Sequence, residues 1–562
     1  MYSFRQGIGE LPYICLKLGI KHAIISPGSR NAPLIMAFAK NPKMHCLSIT
    51  DERCAGFYAL GMAQYLQKPV VLICTSGTAA LNYAPAIAEA YYQQIPLIVL
   101  TADRPPEWID QNDGQTIRQN HMYGSLVKKS CSLPLETLQK EDLWLMRRTV
   151  SEAINTSILG AKGPVHINIP FREPLYHPLQ PTSEGFPVNE VLQGKKSLTE
   201  DQWRSLKLKW SSHKKKLIVC GMSLIQNMEL SSILEDLVRK KQAVVIAENL
   251  SNLYASEFID TAEHFIASLS EMDKKDFAPG LLITLGGSVV SKRLKKYLRE
   301  YKPNEHWHVD EHNYFVDTFQ TLNYNLAIEP IDFFQQINNN SAENPSYVNF
   351  AQTTLNLTKE RFNEFILQAP FTDLTAYHAI VSHIPDNYAL HLANSTPVRY
   401  AQLFNSKPGI QYFSNRGTSG IDGCMSTATG YAMASGKPTL LLVGDLGFIY
   451  DSNALWNNKV PANIRIIVLE NDGGNIFKLI DTSDEIENIQ HFFETPHQVH
   501  IGNLTNAFGV QHLQAQNLAE LKTLLKDFFK PNDRPVVLSI KTSGLESANT
   551  FKKMFQFISQ NP

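Results

Sequence analysis

Charge of one sign, paired cysteines, a dinucleotide fingerprint and long apolar runs are all missing from this chain. Its 52 Lys and Arg balance 53 Asp and Glu, leaving a formal net charge of −1. No overall field draws it to nucleic acid or an anionic membrane, so any anion must be met by a local cluster of basic residues. The seven cysteines (Cys15, Cys46, Cys54, Cys74, Cys131, Cys220 and Cys424) are scattered, odd in number and never spaced as CxxC. That suits buried free thiols in a reducing cytoplasm. No GxGxxG follows a strand-like run, which argues against a Rossmann-type dinucleotide site. No apolar run is long enough for a membrane span. The first residues, "MYSFRQGIGELPYICLKLGIKHAIIS", read as an amphipathic helix leading into a strand and lack the basic start and cleavage site of a signal peptide.

What is present is alternation. At 562 residues the chain exceeds one hydrophobic core, and two to four domains are expected. Hydrophobic content of 43% and charged content of 19% are ordinary for a globular protein. Apolar strands such as "HAIIS", "PVVLICTSG" and "IPLIVLTADRP" are separated by helical segments such as "RCAGFYALGMAQYLQ". That rhythm predicts a parallel sheet with helices on both faces. A polar stretch from about Pro178 to Ser212 reads as a linker. A second, smaller βαβ unit then runs from "KKLIVCGMSL" to "HWHVDEHNYFVD". A polar region at Asn338 to Pro345 precedes a helix, and the last third resumes the alternation.

Two strand ends carry the first chemical signal. "LLLVGDLGFIYDSNALW" is a strand running straight into Asp445, and "IRIIVLENDGGNIF" ends on Asn471-Asp472-Gly473-Gly474 about one crossover later. Ligands of parallel α/β sheets sit at the carboxyl ends of strands. A carboxylate, an amide oxygen and the Gly473 carbonyl would make half of an octahedral Mg²⁺ shell, with a diphosphate supplying more. The alternative is a turn acid followed by a tight turn. Glu52, which opens a helix after "MHCLSIT", likewise reads as a first-turn acid favouring the helix dipole. Basic residues recur beside turns: Arg30, Arg104, Lys292, Arg293, Arg399 and Arg416. Each alone is more often a surface salt-bridge partner. His306 and His308 in "HWHVDEH" would share one strand face, but no third ligand for a transition metal is evident.

The chain resembles thiamine diphosphate enzymes, whose motif is Gly-Asp-Gly followed by Asn some 25 to 30 residues later. Here Leu446 replaces the motif's second glycine. That departure, with "ISPGSRNAPL", "TDERCAGFYALGMA", "TSGTAALNYAPAIAEA", "GPVHINIPFREPLY", "SKRL", "NSTPVR" and "NRGTSGIDG" in order along the chain, resembles one family, the 2-succinyl-5-enolpyruvyl-6-hydroxy-3-cyclohexene-1-carboxylate synthases of menaquinone biosynthesis. The resemblance implies a three-domain α/β fold of mostly parallel sheets flanked by helices. Its domains would be pyrimidine-binding (1–180), central (181–350) and diphosphate-binding (351–562).

It also implies roles. Thiamine diphosphate would be held by Glu52, Ile421, Gly444, Asp445, Leu446, Gly447, Asn471 and Gly473. Asp445, Asn471 and Gly473 would bind Mg²⁺, with Mn²⁺ as a second option. Glu52 would be catalytic, binding N1′ of the aminopyrimidine and favouring the tautomer that takes the proton from thiazolium C2. Ile421 would prop the cofactor into its bent shape. Arg30, Arg104, Gln115, Lys292, Arg293, Asn394, Ser395, Arg399, Arg416, Ile476 and Phe477 would contact substrate. The implied reaction is decarboxylation of 2-oxoglutarate and conjugate addition of the succinyl carbanion to isochorismate. The implied assembly is a homo-oligomer, a dimer or dimer of dimers with shared active sites, in the cytoplasm and without nucleic acid or membrane span. A thiamine diphosphate carboligase of the acetolactate synthase type is the alternative enzyme, and a non-catalytic regulatory subunit the alternative class.

Overall fold

The computed structural model describes residues 6–176, 185–312, 315–338, 343–457, 460–479 and 490–559. Three parallel sheets account for its strands. The first contains β1 (His22–Ile25), β2 (His45–Ser48), β3 (Val70–Cys74), β4 (Leu97–Asp103), β5 (Lys129–Ser132) and β6 (Val165–Pro170), in the order β2-β1-β3-β4-β6-β5. The second contains β7 (Lys216–Cys220), β8 (Val244–Ala247), β9 (Leu281–Leu285), β10 (Glu305–Val309) and β11 (Tyr324–Leu326), in the order β11-β10-β9-β7-β8. The third contains β12 (Ala389–Leu392), β13 (Gln411–Phe413), β14 (Thr439–Gly444), β15 (Ile464–Glu470), β16 (Gln511–Ala515) and β17 (Val536–Lys541), in the order β13-β12-β14-β15-β17-β16. The first and third sheets thus share one topology. In both, the order reverses beside the first strand, and ligands of open α/β sheets bind at such a reversal.

The central strands are buried along their length, as in "VVLIC" of β3 and "LIVLTAD" of β4. Continuous apolar runs of this kind belong to parallel strands covered on both faces. The chain divides into two compact units. The first holds residues 1–194, 415–436 and 450–464, and the second holds 195–414, 437–449 and 465–562. In the first unit, Gly61 and Gly430 let the helices Glu52–Leu66 and Cys424–Ser435 touch backbone to backbone. A Cβ on Gly61 would lie 1.9 Å from the Thr427 carbonyl oxygen, and one on Gly430 would lie 2.2 Å from that of Tyr58.

One sequence expectation is corrected. The expected linker contains the helix Glu200–Ser212. Thr199 caps it, accepting from the Gln202 amide while the Gln202 side chain accepts from the Thr199 amide. Leu206 and Trp210, one turn apart on one face, are both buried. The lysines and serines that suggested a linker are its solvated face. Residues 178–184 of that linker, and 339–342 of the polar region before the last third, lie outside the described residues.

Candidate functional site

The first unit presents Glu52 at the head of the helix Glu52–Leu66. The capping is done by its neighbour: the Asp51 carboxylate accepts from the Cys54 amide at 3.1 Å. Glu52 is half-buried, and burial raises its carboxyl above the ordinary value, with Asp51 adding to the rise. Its own backbone amide, which opposes that rise, is the hydrogen-bond partner of the carboxylate among the described residues. The loop carrying Arg416 and Ile421 is anchored by Glu89, 328 positions from Gly417. Its buried carboxylate accepts from the Gly417 and Thr418 amides, each at 2.7 Å, and from the Thr418 hydroxyl at 2.6 Å.

Arg30, Arg104 and Gln115 gather at the carboxyl ends of β1 and β4. Arg30 is 4% exposed, donates to the Phe171 carbonyl at 3.0 Å and pairs with Glu173 at 3.2 Å. Burial, then the charge of Arg104, lowers its pKa. Arg104 pairs with Asp113 at 3.4 Å. Gln115, at φ +57°, packs over Gly77.

In the second unit Asp445 follows β14 and is 1% exposed. Its carboxylate accepts from the amides of Leu446 at 2.7 Å, Gly473 at 3.0 Å and Asn471 at 3.2 Å. His497 Nε2 stands 3.3 Å away, inside ion-pair distance but outside hydrogen-bond geometry. Burial raises the Asp445 pKa although these groups oppose it. The Asn471 amide nitrogen donates to the buried Asp373 at 2.8 Å, which leaves its oxygen without a donor among the described residues. Asp373 also accepts from Thr542 at 2.5 Å and Asn475 at 3.4 Å.

Lys292, Arg293 and Arg399 line a single cavity of about 230 Å³ with Gln402, Ile476, Phe551 and Phe555. These basic residues follow β9 and β12, and Ile476 follows β15, so the cavity opens at strand carboxyl ends. Ser395 precedes the Arg399 helix at φ +77°, ψ −127°, a conformation that side-chain-bearing residues seldom adopt. Its carbonyl accepts from Arg399. The adjacent Asn394 is 2% exposed. Phe477 is not among the lining residues and packs against Phe493, ring centroids 5.6 Å apart. Gly444 ends β14, and Leu446 and Gly447 begin the helix Asp445–Tyr450.

His306 and His308 have a different occupation. The Thr284 hydroxyl lies 3.0 Å from Nε2 of His306 and 2.9 Å from Nδ1 of His308, and burial lowers the His306 pKa to about 4.

Comparison with known proteins decides what these strand ends belong to. Residues 11–122 match the thiamine pyrophosphate enzyme N-terminal TPP binding domain, 188–392 the middle domain and 395–540 the C-terminal TPP binding domain. The chain is 40% identical over 547 residues, 97% of each chain, to a 2-succinyl-5-enolpyruvyl-6-hydroxy-3-cyclohexene-1-carboxylate synthase of Flavobacterium johnsoniae. Identity is again 40% to the synthase of Porphyromonas gingivalis, over 99% of this chain and 98% of the other. It is 36% to that of Bacteroides thetaiotaomicron over the full length of both. The chain belongs to this synthase family.

Thiamine diphosphate and a hard cation fit the residues that a synthase of this family offers. Glu52 is a half-buried carboxylate held by no other side chain among the described residues. Asp445 and the unpaired Asn471 oxygen are hard donors. No group of three or more His, Cys, Asp or Glu among the described residues forms a competing metal cluster. The Asn471 and Gly473 backbone amides are engaged by Asp445. Sequence reasoning missed Glu89, Glu248, Asp373, Asp451 and His497. For Asp373 a signal existed, an acid after Thr372 at a helix start, but it reads as helix capping.

Proposed function

We propose that the chain is a thiamine diphosphate-dependent transferase that joins 2-oxoglutarate to isochorismate, releasing CO₂ and 2-succinyl-5-enolpyruvyl-6-hydroxy-3-cyclohexene-1-carboxylate in menaquinone biosynthesis. The observation that carries this reading is the cavity holding Lys292, Arg293 and Arg399 together. Both substrates bear two carboxylates, and a planar guanidinium meets a carboxylate through two parallel hydrogen bonds. A pyruvate-using carboligase has no need of three cations there.

When bound, thiamine diphosphate supplies the electron sink that lets a 2-oxo acid lose CO₂ and its acyl carbon act as a nucleophile. Glu52 would hold the aminopyrimidine and exchange a proton with its N1′; its half-buried, pKa-raised carboxyl suits that task. Asp445, the Asn471 oxygen and the Gly473 carbonyl would hold Mg²⁺ or Mn²⁺, and Gly444, Leu446 and Gly447 would form the turn beneath it. Ile421 would support the cofactor's bend. Arg30, Arg104, Gln115 and Arg416 would orient carboxylate and hydroxyl groups, and Asn394 and Ser395 would add polar contacts. Ile476 and Phe477 would exclude water.

The three sheets support domains at 1–180, 181–350 and 351–562. Family resemblance supports a dimer or dimer of dimers with shared active sites. Seven free thiols suit the cytoplasm, and no helix among the described residues is long and apolar enough to cross a membrane. Mass spectrometry of the product formed from isochorismate, 2-oxoglutarate, cofactor and Mg²⁺ tests the reading. Acetolactate from pyruvate, with no adduct from isochorismate, would overturn it.

A further inference from the structure

Two consecutive buried residues, Glu248 and Asn249, follow β8 in the central sheet, each 2% exposed and neither lining the cavity. Glu248 accepts from the Val290 amide at 2.6 Å and the Ser291 amide at 2.7 Å. Those amides head the helix Lys292–Glu300, whose first two residues are Lys292 and Arg293. Asn249 faces the other way. Its Nδ2 donates to the Ala401 carbonyl at 3.2 Å, and its Oδ1 accepts from Gln402 Nε2 at 2.7 Å. Ala401 ends the helix Thr396–Ala401 that carries Arg399, and Gln402 lines the cavity. Three residues on, Asn252 donates to the Ser223 and Tyr412 carbonyls at 2.7 and 2.9 Å and accepts from the Tyr412 amide at 2.8 Å.

We infer that Glu248 and Asn249 are a positioning pair that fixes the distance between Lys292–Arg293 and Arg399, and so the dicarboxylate that the cavity accepts. The inference rests on the assignment of those three cations to substrate. Backbone amides at a helix start are fixed donors, so a carboxylate spanning two of them sets the helix end to within hydrogen-bond tolerance. An asparagine with both ends engaged does the same for the second helix. Because the two side chains are neighbours on one chain, the helices share one origin. Glu263 reinforces the first of them, accepting from the Ser291 hydroxyl at 2.8 Å and pairing with Arg293 at 3.2 Å.

The test is a set of double-mutant cycles on the holoenzyme, with KM and kcat measured for isochorismate and 2-oxoglutarate. Asn249→Ala should raise KM for whichever substrate Arg399→Ala weakens, by roughly tenfold, with a much smaller change in kcat. In the Arg399→Ala background that increment should shrink to below about twofold, because residues acting as one unit are not additive. Glu248→Gln, which keeps one acceptor and much the same size, should show the same coupling to Arg293→Ala and guards against a poorly folding alanine variant. KM values within about twofold of wild type for Asn249→Ala and Glu248→Gln, or increments that multiply undiminished, overturn the inference alone. Unchanged KM values in both Arg293→Ala and Arg399→Ala overturn the assignment of the cavity, and the inference with it.

Discussion

Asp51 and Glu52 stand side by side at one helix start and do different work. Asp51 caps the helix through the Cys54 amide, a task that Glu52 does not share. Glu52→Gln should lower kcat by about 10²–10⁴, the range for a positioned acid–base group. Glutamine keeps the size and a hydrogen bond, so cofactor affinity in a circular-dichroism titration should fall far less. The decisive measurement is hydrogen–deuterium exchange at C2 of bound thiamine diphosphate; exchange as fast as in wild type removes Glu52 from the chemistry. Asp451 offers a pH prediction. It is buried, accepts from the Ser426 amide at 2.7 Å and hydroxyl at 2.8 Å, and burial raises its pKa from 3.8 to about 7. A raised acid is protonated more readily in the folded chain, so its contribution is complete below pH 3.8 and lost as pH rises through about 7. Urea midpoints of wild type should therefore decline relative to those of Asp451→Asn between pH 4 and pH 8. Parallel curves would contradict the assignment. The sequence displays Asp445 and Asn471 because strand ends advertise themselves. It hides Glu89, Glu248 and Asp451, carboxylates that bind amides or hydroxyls 328, 42 and 25 positions away.

At the scale of elements, strands were the easier part to read. Apolar runs such as β3 and β14 are short and bounded by turn residues and so read as covered strands, whereas the helix Glu200–Ser212 shows two buried residues against a polar background and so passes for a linker. Helix contacts are less visible still. Nothing in "GFYALGMA" or "CMSTATGYAMAS" says that Gly61 and Gly430 face each other's helices. Gly61→Ala and Gly430→Ala place a methyl against a carbonyl that cannot swing aside. Each should destabilise the protein by at least about 2 kcal/mol, the middle of the usual overpacking range. Urea unfolding followed by far-UV circular dichroism measures it. A loss below about 0.5 kcal/mol would mean that the helices separate easily.

For the whole molecule, the sequence conveys three α/β blocks in order but not how the chain shares them out. The first compact unit is built from 1–194 and from two later segments, 415–436 and 450–464. Those segments supply the helix Cys424–Ser435 and Asp451. A fragment of residues 1–194 should therefore fail to fold natively, with poor amide dispersion by NMR and binding of a hydrophobic dye. A cooperative, well-dispersed fragment would show that the later segments are dispensable to the unit.

The same division has a consequence during synthesis. A ribosome that has released residue 194 must still reach residue 464 before the first unit holds all its parts. At about 5–20 residues per second that is a wait on the order of tens of seconds. Meanwhile the glycine face of the Glu52 helix stands uncovered, while the central sheet, finished at Leu326, can form. The central sheet can therefore form well before the helix that Glu52 heads meets the helix packed against it.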